Sequence, residues 1–183
     1  MFGETQEEEL ECEQLLQETV DLRSIVTRFA YTHFNSKDEE LLAAKEVYNI
    51  AFENSNSGKL QKFEHWLSSK DKSKTKLFLV GNKISSPDFN LFDTLDLYCE
   101  FLLYYNFVEN ADKNNVFALL KYPLISDFFN NFKQLPKMQK YFESELYKLP
   151  FTNKGAKFGS GKSGITWNPS IDTDTTPDEI IVE

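Results

Sequence analysis

Three groups of residues have side chains suited to chemistry. Asp93, Asp96 and Glu100 recur at steps of three and four, which sets three carboxylates on one stripe of a helix, as paired acid and base work would need. Residues 156–163, reading AKFGSGKS, fit a loosened phosphate loop, in which glycines let backbone N–H groups close on phosphate and a lysine neutralises it. Asp21, Arg23 and Tyr31 put an acid, a guanidinium and a phenol on one helical pattern. His33, His65, Cys12 and Cys99 complete the inventory.

Each has a plainer reading. The three carboxylates have no neighbouring base or nucleophile in sequence, so a structural role is expected, with Asp93 bonding backbone N–H groups of a nearby loop. A phosphate loop needs a buried strand before it and a helix after it; here Ile165 to Pro169 follows, with no helical pattern, and the match reads as chance. Neither histidine sits in a nucleophile elbow. The histidines also lack Cys or His neighbours at ligand spacing, so no metal site is expected. The two cysteines are far apart and read as reduced thiols, not a disulfide framework. By pattern alone Asp21, Arg23 and Tyr31 are surface charges and a helix-end aromatic.

The elements that would position these residues are helices. The strongest start signal is at Ser85, with Asp88 three residues on, Pro87 in the first turn, and Ile84 and Phe89 placed as a hydrophobic staple. From Phe89 to Tyr105 the pattern is apolar almost all round, which predicts a central, surrounded helix. Upstream, Thr5 and Glu8 open a helix that runs to about Tyr31, with Leu15, Leu22, Val26 and Phe29 on one face. Ser36 and Glu39 open a second, whose apolar face is Leu41, Ala44, Tyr48, Ala51 and Phe52; residues 54–58 are all turn formers. A further helical pattern covers Leu60 to Leu67, and Lys70 to Lys76 reads as a solvated loop. Leu77 to Gly81 reads as a short extended run beneath the central helix. After a polar insert at 109–115, Pro123 starts a fresh helix; residues 134–136 end it and begin another, with Met138, Tyr141, Phe142, Leu146 and Tyr147 as its apolar positions.

Seventeen Phe and 40% hydrophobic residues among 183 are enough for a sizeable core, so the expectation is one all-α bundle of five to seven helices over 1–158 and a disordered acidic tail over 159–183. A net charge of −9 repels phosphate backbones and argues against nucleic-acid binding. Residues 1–14 are glutamate-rich and no apolar run reaches membrane length, so a cytoplasmic protein with no membrane partner is expected.

Residues 3–9, GETQEEE, resemble the opening of the C-terminal domain of mu-class glutathione transferases. The stretch LVGNKISSPDFNLFDTLDL is similar to a central segment of glutathione-transferase C-terminal domains, with Ser85 and Asp88 at its helix-capping Thr and Asp. Residues 122–128 and 135–141 resemble two further segments. The likeness covers residues 2 to about 158, with one insert near 109–115.

The resemblance implies a glutathione-transferase C-terminal-like helical fold and a family reaction that joins glutathione to electrophiles. It places Asp21 on glutathione bound in the opposite subunit. It places Val20, Arg23, Ser24, Thr27, Tyr31, Thr152 and Asn153 around the electrophile pocket, and gives Ser85, Asp88 and Asp93 structural capping roles. Ser24 and Thr27 stand where larger apolar residues are typical, so substrate preference does not carry over. Family members begin with a thioredoxin-like domain that holds the thiolate-stabilising tyrosine. Residues 1–183 contain no counterpart of it, so by themselves they are expected to hold no catalytic residue and to be inactive. No cofactor is implied; glutathione is the co-substrate if that domain is supplied. The implied partners are a second copy, a thioredoxin-like domain, glutathione and a hydrophobic electrophile. The alternative is a non-catalytic interaction and assembly module.

Overall fold

The first helix begins where a threonine can hold an orphan amide. In the computed structural model, which describes residues 2–53, 58–69, 77–152, 156 and 158, the Glu8 N–H donates to Thr5 Oγ1 at 3.2 Å and α1 runs Gln6–Tyr31. Glu8 reaches back one residue further than a simple capping box would, accepting from the Glu4 N–H at 2.7 Å. The second helix, α2 (Lys37–Tyr48), repeats the device: Glu39 donates to Ser36 Oγ at 3.2 Å and its carboxylate accepts from the Asn35 N–H at 2.8 Å.

A π-helical turn, Asn49–Glu53, ends α2. Then follow α3 (Lys59–Ser69), α4 (Ser86–Tyr104), α5 (Val116–Leu119) and α6 (Pro123–Lys133). A 3-10 turn, Pro136–Met138, leads into α7 (Gln139–Phe142). The fold is an all-α bundle, and no strand occurs among the described residues. The expected tail over 159–183, the lysine-rich loop and all but residues 156 and 158 of the loosened phosphate loop lie outside the described residues.

Helix α4 is the axis. Leu91, Leu95, Leu97, Tyr98, Cys99, Phe101 and Leu102 are all buried. Against one side lies α1, through the expected Leu15, Leu22, Val26 and Phe29. Phe29 meets Phe101 edge-on at 5.5 Å, and the Tyr98 hydroxyl donates to the Leu22 carbonyl at 2.9 Å. On the other side Phe92 stacks on Phe129 and Phe132 of α6 at 5.1 and 4.4 Å.

The start of α4 is a buried polar knot. Asp88 is 0% exposed. Its Oδ2 accepts from the Ser85 N–H at 2.7 Å and from Ser85 Oγ at 2.8 Å, while Oδ1 accepts from the Leu79 N–H at 2.7 Å. The Leu79 carbonyl in turn accepts from Trp66 Nε1 at 2.9 Å. Residues 77–81 therefore form a bent segment with Leu79 and Val80 buried, rather than an extended run. Gly81 turns the chain at φ +56°, where a Cβ would stand 2.8 Å from a Glu8 carboxylate oxygen. Ser85→Ala keeps the Asp88 to Leu79 bond, so its expected cost is about 1 kcal/mol in urea unfolding; a change near zero would remove the capping role.

Two elements differ from the sequence expectation. The second apolar face is Ala44, Val47, Ala51 and Phe52, with Tyr48 half-buried against the core and Leu41, near the start of α2, 38% exposed. Helix α7 stops at Phe142, short of Tyr147, because Tyr147 folds back to bond Asp96 and its ring packs on Phe142 at 5.0 Å.

Candidate functional site

One face of α1 is left outside the core. Val20, Thr27 and Tyr31 follow at steps of seven and four, on the side opposite Leu22, Val26 and Phe29. Val20 is 55% and Tyr31 47% exposed. An apolar residue and a phenol that the bundle itself does not bury are available to something else. Ser24 is half-buried beside them, and its hydroxyl donates to the Asp21 carbonyl at 2.8 Å.

Asp21 and Arg23 lie on opposite flanks of that face. Asp21 turns toward the start of α3, 3.5 Å from the Lys59 ammonium. It also lines a groove of about 460 Å³ with Ser24, Arg28, Glu46 and Lys59, over an apolar floor that includes Phe29 and Val47. Arg23 turns the other way and pairs with Asp93 of α4. Val20, Arg23, Thr27 and Tyr31 do not line the groove, so the residues assigned to one pocket divide between a groove and an open face. Both carboxylates are half exposed, and screened pairs of this kind contribute little stability.

The Thr152 hydroxyl donates to the Phe158 carbonyl at 2.7 Å, and Phe158 packs on Phe29 at 6.3 Å. Thr152 thus reaches α1 through the core, not by joining the outward face. Asn153 lies outside the described residues. Asp93 does not hold loop amides as expected. It lies exposed within α4, in reach of Arg23, and the loop amide of Leu79 is held by Asp88.

Three carboxylates besides Asp88 are buried: Glu64, which sequence reasoning left without a role, and Asp96 and Glu100 of the stripe for which a structural role was expected. Glu64 of α3 accepts from the Leu124 and Ile125 N–H groups at 3.0 and 2.9 Å, and so caps α6 from another helix. Glu100 pairs with Lys113, which the polar insert carries inward. Asp96, 2% exposed, accepts from the Tyr147 hydroxyl at 2.8 Å. Burial raises its carboxyl above the ordinary range, opposed by the Lys113 charge and the Tyr147 bond. Burial also pushes the Cys99 thiol to about 12, which leaves it protonated and inert at neutral pH. No three His, Cys, Asp or Glu side chains converge to hold a metal among the described residues. No helix there is long and apolar enough to cross a membrane.

A protein-family model described as glutathione S-transferase, C-terminal domain, matches residues 20–145. The class-mu 26 kDa glutathione S-transferase isozyme of Schistosoma mansoni is 30% identical over 162 residues, covering 88% of this chain and 61% of that protein. Human glutathione S-transferase Mu 3 is 25% identical over 164 residues, covering 87% and 59%. The chain thus spans 61% and 59% of the length of these curated relatives.

Proposed function

The chain belongs to the glutathione S-transferase C-terminal domain family, and from that membership we propose that it supplies the helical half of a mu-class-like glutathione transferase. The observation that carries this reading is the outward face of α1, where Val20 and Tyr31 stand exposed beside Asp21, with Thr27 half-buried between them. In the proposed assembly a thioredoxin-like domain holds glutathione as its thiolate; with a chlorinated aromatic substrate lying on that face, the thiolate attacks the chlorine-bearing carbon, the carbon–sulfur bond forms, and the carbon–chlorine bond breaks with its electron pair leaving as chloride. Val20 and Thr27 supply the wall. Tyr31 donates a hydrogen bond as negative charge develops on the electrophile. Asp21, half exposed, accepts from the ammonium of glutathione bound in the opposite subunit, a charge-assisted bond.

The test joins the thioredoxin-like domain of a mu-class enzyme to residues 1–183 and measures conjugation with a chlorinated aromatic substrate. Residues 1–183 alone are expected to give only the uncatalysed rate. The fusion is expected to be active, and Asp21→Ala in it to raise KM for glutathione about tenfold, with a smaller effect on kcat. A folded, dimeric fusion without activity, or an unchanged KM, overturns the assignment.

A second reading, a non-catalytic interaction and assembly module, is favoured by the same exposure: Phe2 and Leu10 add 60% and 61% exposed apolar side chains to Val20 and Tyr31. It requires an inactive fusion together with a partner whose binding is lost in a Val20→Glu and Tyr31→Glu double variant.

A further inference from the structure

Helices α1 and α3 face each other across two charged rungs with the same spacing. Glu18 and Asp21 stand three residues apart on α1, and Lys59 and Lys62 three apart on α3. The rung at Glu18 is closed, with the Lys62 ammonium donating to both carboxylate oxygens at 2.9 and 2.7 Å. The rung at Asp21 is open. Its carboxylate lies 3.5 Å from the Lys59 ammonium, no hydrogen bond joins them, and their side chains are 51% and 32% exposed. Asp21 and Lys59 line the groove of about 460 Å³, whereas Glu18 and Lys62 do not. A carboxylate and an ammonium without that bond keep acceptors and donors for a third group.

The charges decide what that group is. The groove lining sets Asp21 and Glu46 against Arg28 and Lys59, which favours neither a lone cation nor a lone anion. An ammonium drawn to Asp21 meets the Lys59 charge beside it, and a carboxylate drawn to Lys59 meets Asp21. A group that carries both on one carbon turns each repulsion into an attraction. Its nitrogen and carboxyl carbon lie about 2.5 Å apart, close enough for each to face one side of the rung. Lys59 also opens α3, at the positive end of the helix dipole, where a lysine is unfavourable for the helix and a bound carboxylate is favoured. The glutamyl end of glutathione is such a group. Resting on the glutathione reading of Asp21, we propose that Lys59 holds the α-carboxylate of the same glutamyl end whose ammonium Asp21 accepts. The open rung then recognises the α-amino acid as a unit.

The test measures KM for glutathione and for γ-aminobutyryl-cysteinyl-glycine in the fusion of a mu-class thioredoxin-like domain to residues 1–183. The second peptide keeps the ammonium and lacks the carboxylate. Lys59→Ala is expected to raise KM for glutathione about tenfold and to lower it for the second peptide, whose lone ammonium Lys59 repels. A role confined to steadying Asp21 would raise both. Lys59→Arg is expected to stay within about threefold of the parent, and Lys59→Glu to lose more than Lys59→Ala. That order decides even if the second peptide is not turned over, and any other order overturns the inference. So does a KM for glutathione unchanged within about twofold in Lys59→Ala, or a loss equal for both peptides. If Asp21→Ala still raises KM in that case, the glutathione reading stands without Lys59; an inactive fusion overturns both.

Discussion

Asp88→Ala is expected to lower the stability of the bundle by about 4 kcal/mol, because it strips a buried carboxylate from three donors at once. The Ser85 N–H and hydroxyl and the Leu79 N–H all converge on it, and it is 0% exposed, so water does not replace it freely. The loss has two parts. One is the helix cap itself, about 1 kcal/mol, the part Ser85→Ala isolates. The other is the tie between α4 and the bent segment at 77–81, which in turn holds Trp66 of α3 through the Leu79 carbonyl. Urea unfolding of both variants separates the parts. Asp88→Asn keeps one carboxamide oxygen and should fall between them, at about 2 kcal/mol. A cost for Asp88→Ala no greater than that of Ser85→Ala would show that the tie to Leu79 contributes nothing.

Glu64→Ala is expected to cost about 3 kcal/mol, through loss of a cap that comes from a different helix. Pro123 opens α6 and has no N–H to satisfy, so the first amides in need of a partner are those of Leu124 and Ile125. Tyr122, at the N-cap, makes no side-chain cap bond; its hydroxyl donates instead to the Phe52 carbonyl at 2.7 Å. Glu64 meets both amides with its two oxygens, where the helix dipole also favours a negative charge. The expected signature is local as well as global: hydrogen exchange at Leu124 and Ile125 should accelerate more than at Phe101 or Leu102 in α4. Glu64→Gln retains one acceptor and should lose about half as much. Uniform acceleration across the bundle would show that Glu64 acts by packing alone.

These two carboxylates also mark what was legible in the sequence. Asp88 sits three residues from the serine it serves, and capping is a local code, so the start of α4 could be read directly. The α1 face was legible for the same reason, since Leu15, Leu22, Val26 and Phe29 obey one helical period. Glu64 acts across about sixty residues of sequence, and nothing local to it or to Pro123 announces the pairing. Tyr147 and Asp96 are the same case: a helical pattern at Met138 to Tyr147 was sound by period, yet a buried carboxylate draws the tyrosine out of it. For Asp93 the expected role was real, but it belonged to a neighbour. Loop amides were held by a carboxylate at the start of α4, and which one could be decided only by where the bent segment came to rest. In the candidate site, Asp21, Arg23 and Tyr31 became meaningful through family resemblance. Pattern shows that Asp21 and Arg23, two residues apart on a helix, face opposite ways, but not that their partners are Lys59 and Asp93.

Phe158 lies thirteen residues beyond the last position matched by the family model, Glu145. It is 1% exposed, with Phe101 at 5.6 Å and Tyr104, Tyr105 and Phe29 at 6.2–6.3 Å. The span matched by the family model is therefore shorter than the packed core of the bundle. A recombinant fragment trimmed to the matched span would uncover a ring of aromatic surface and be prone to aggregate. In this protein the sensible place to cut is set by a side chain's burial, not by the end of an alignment.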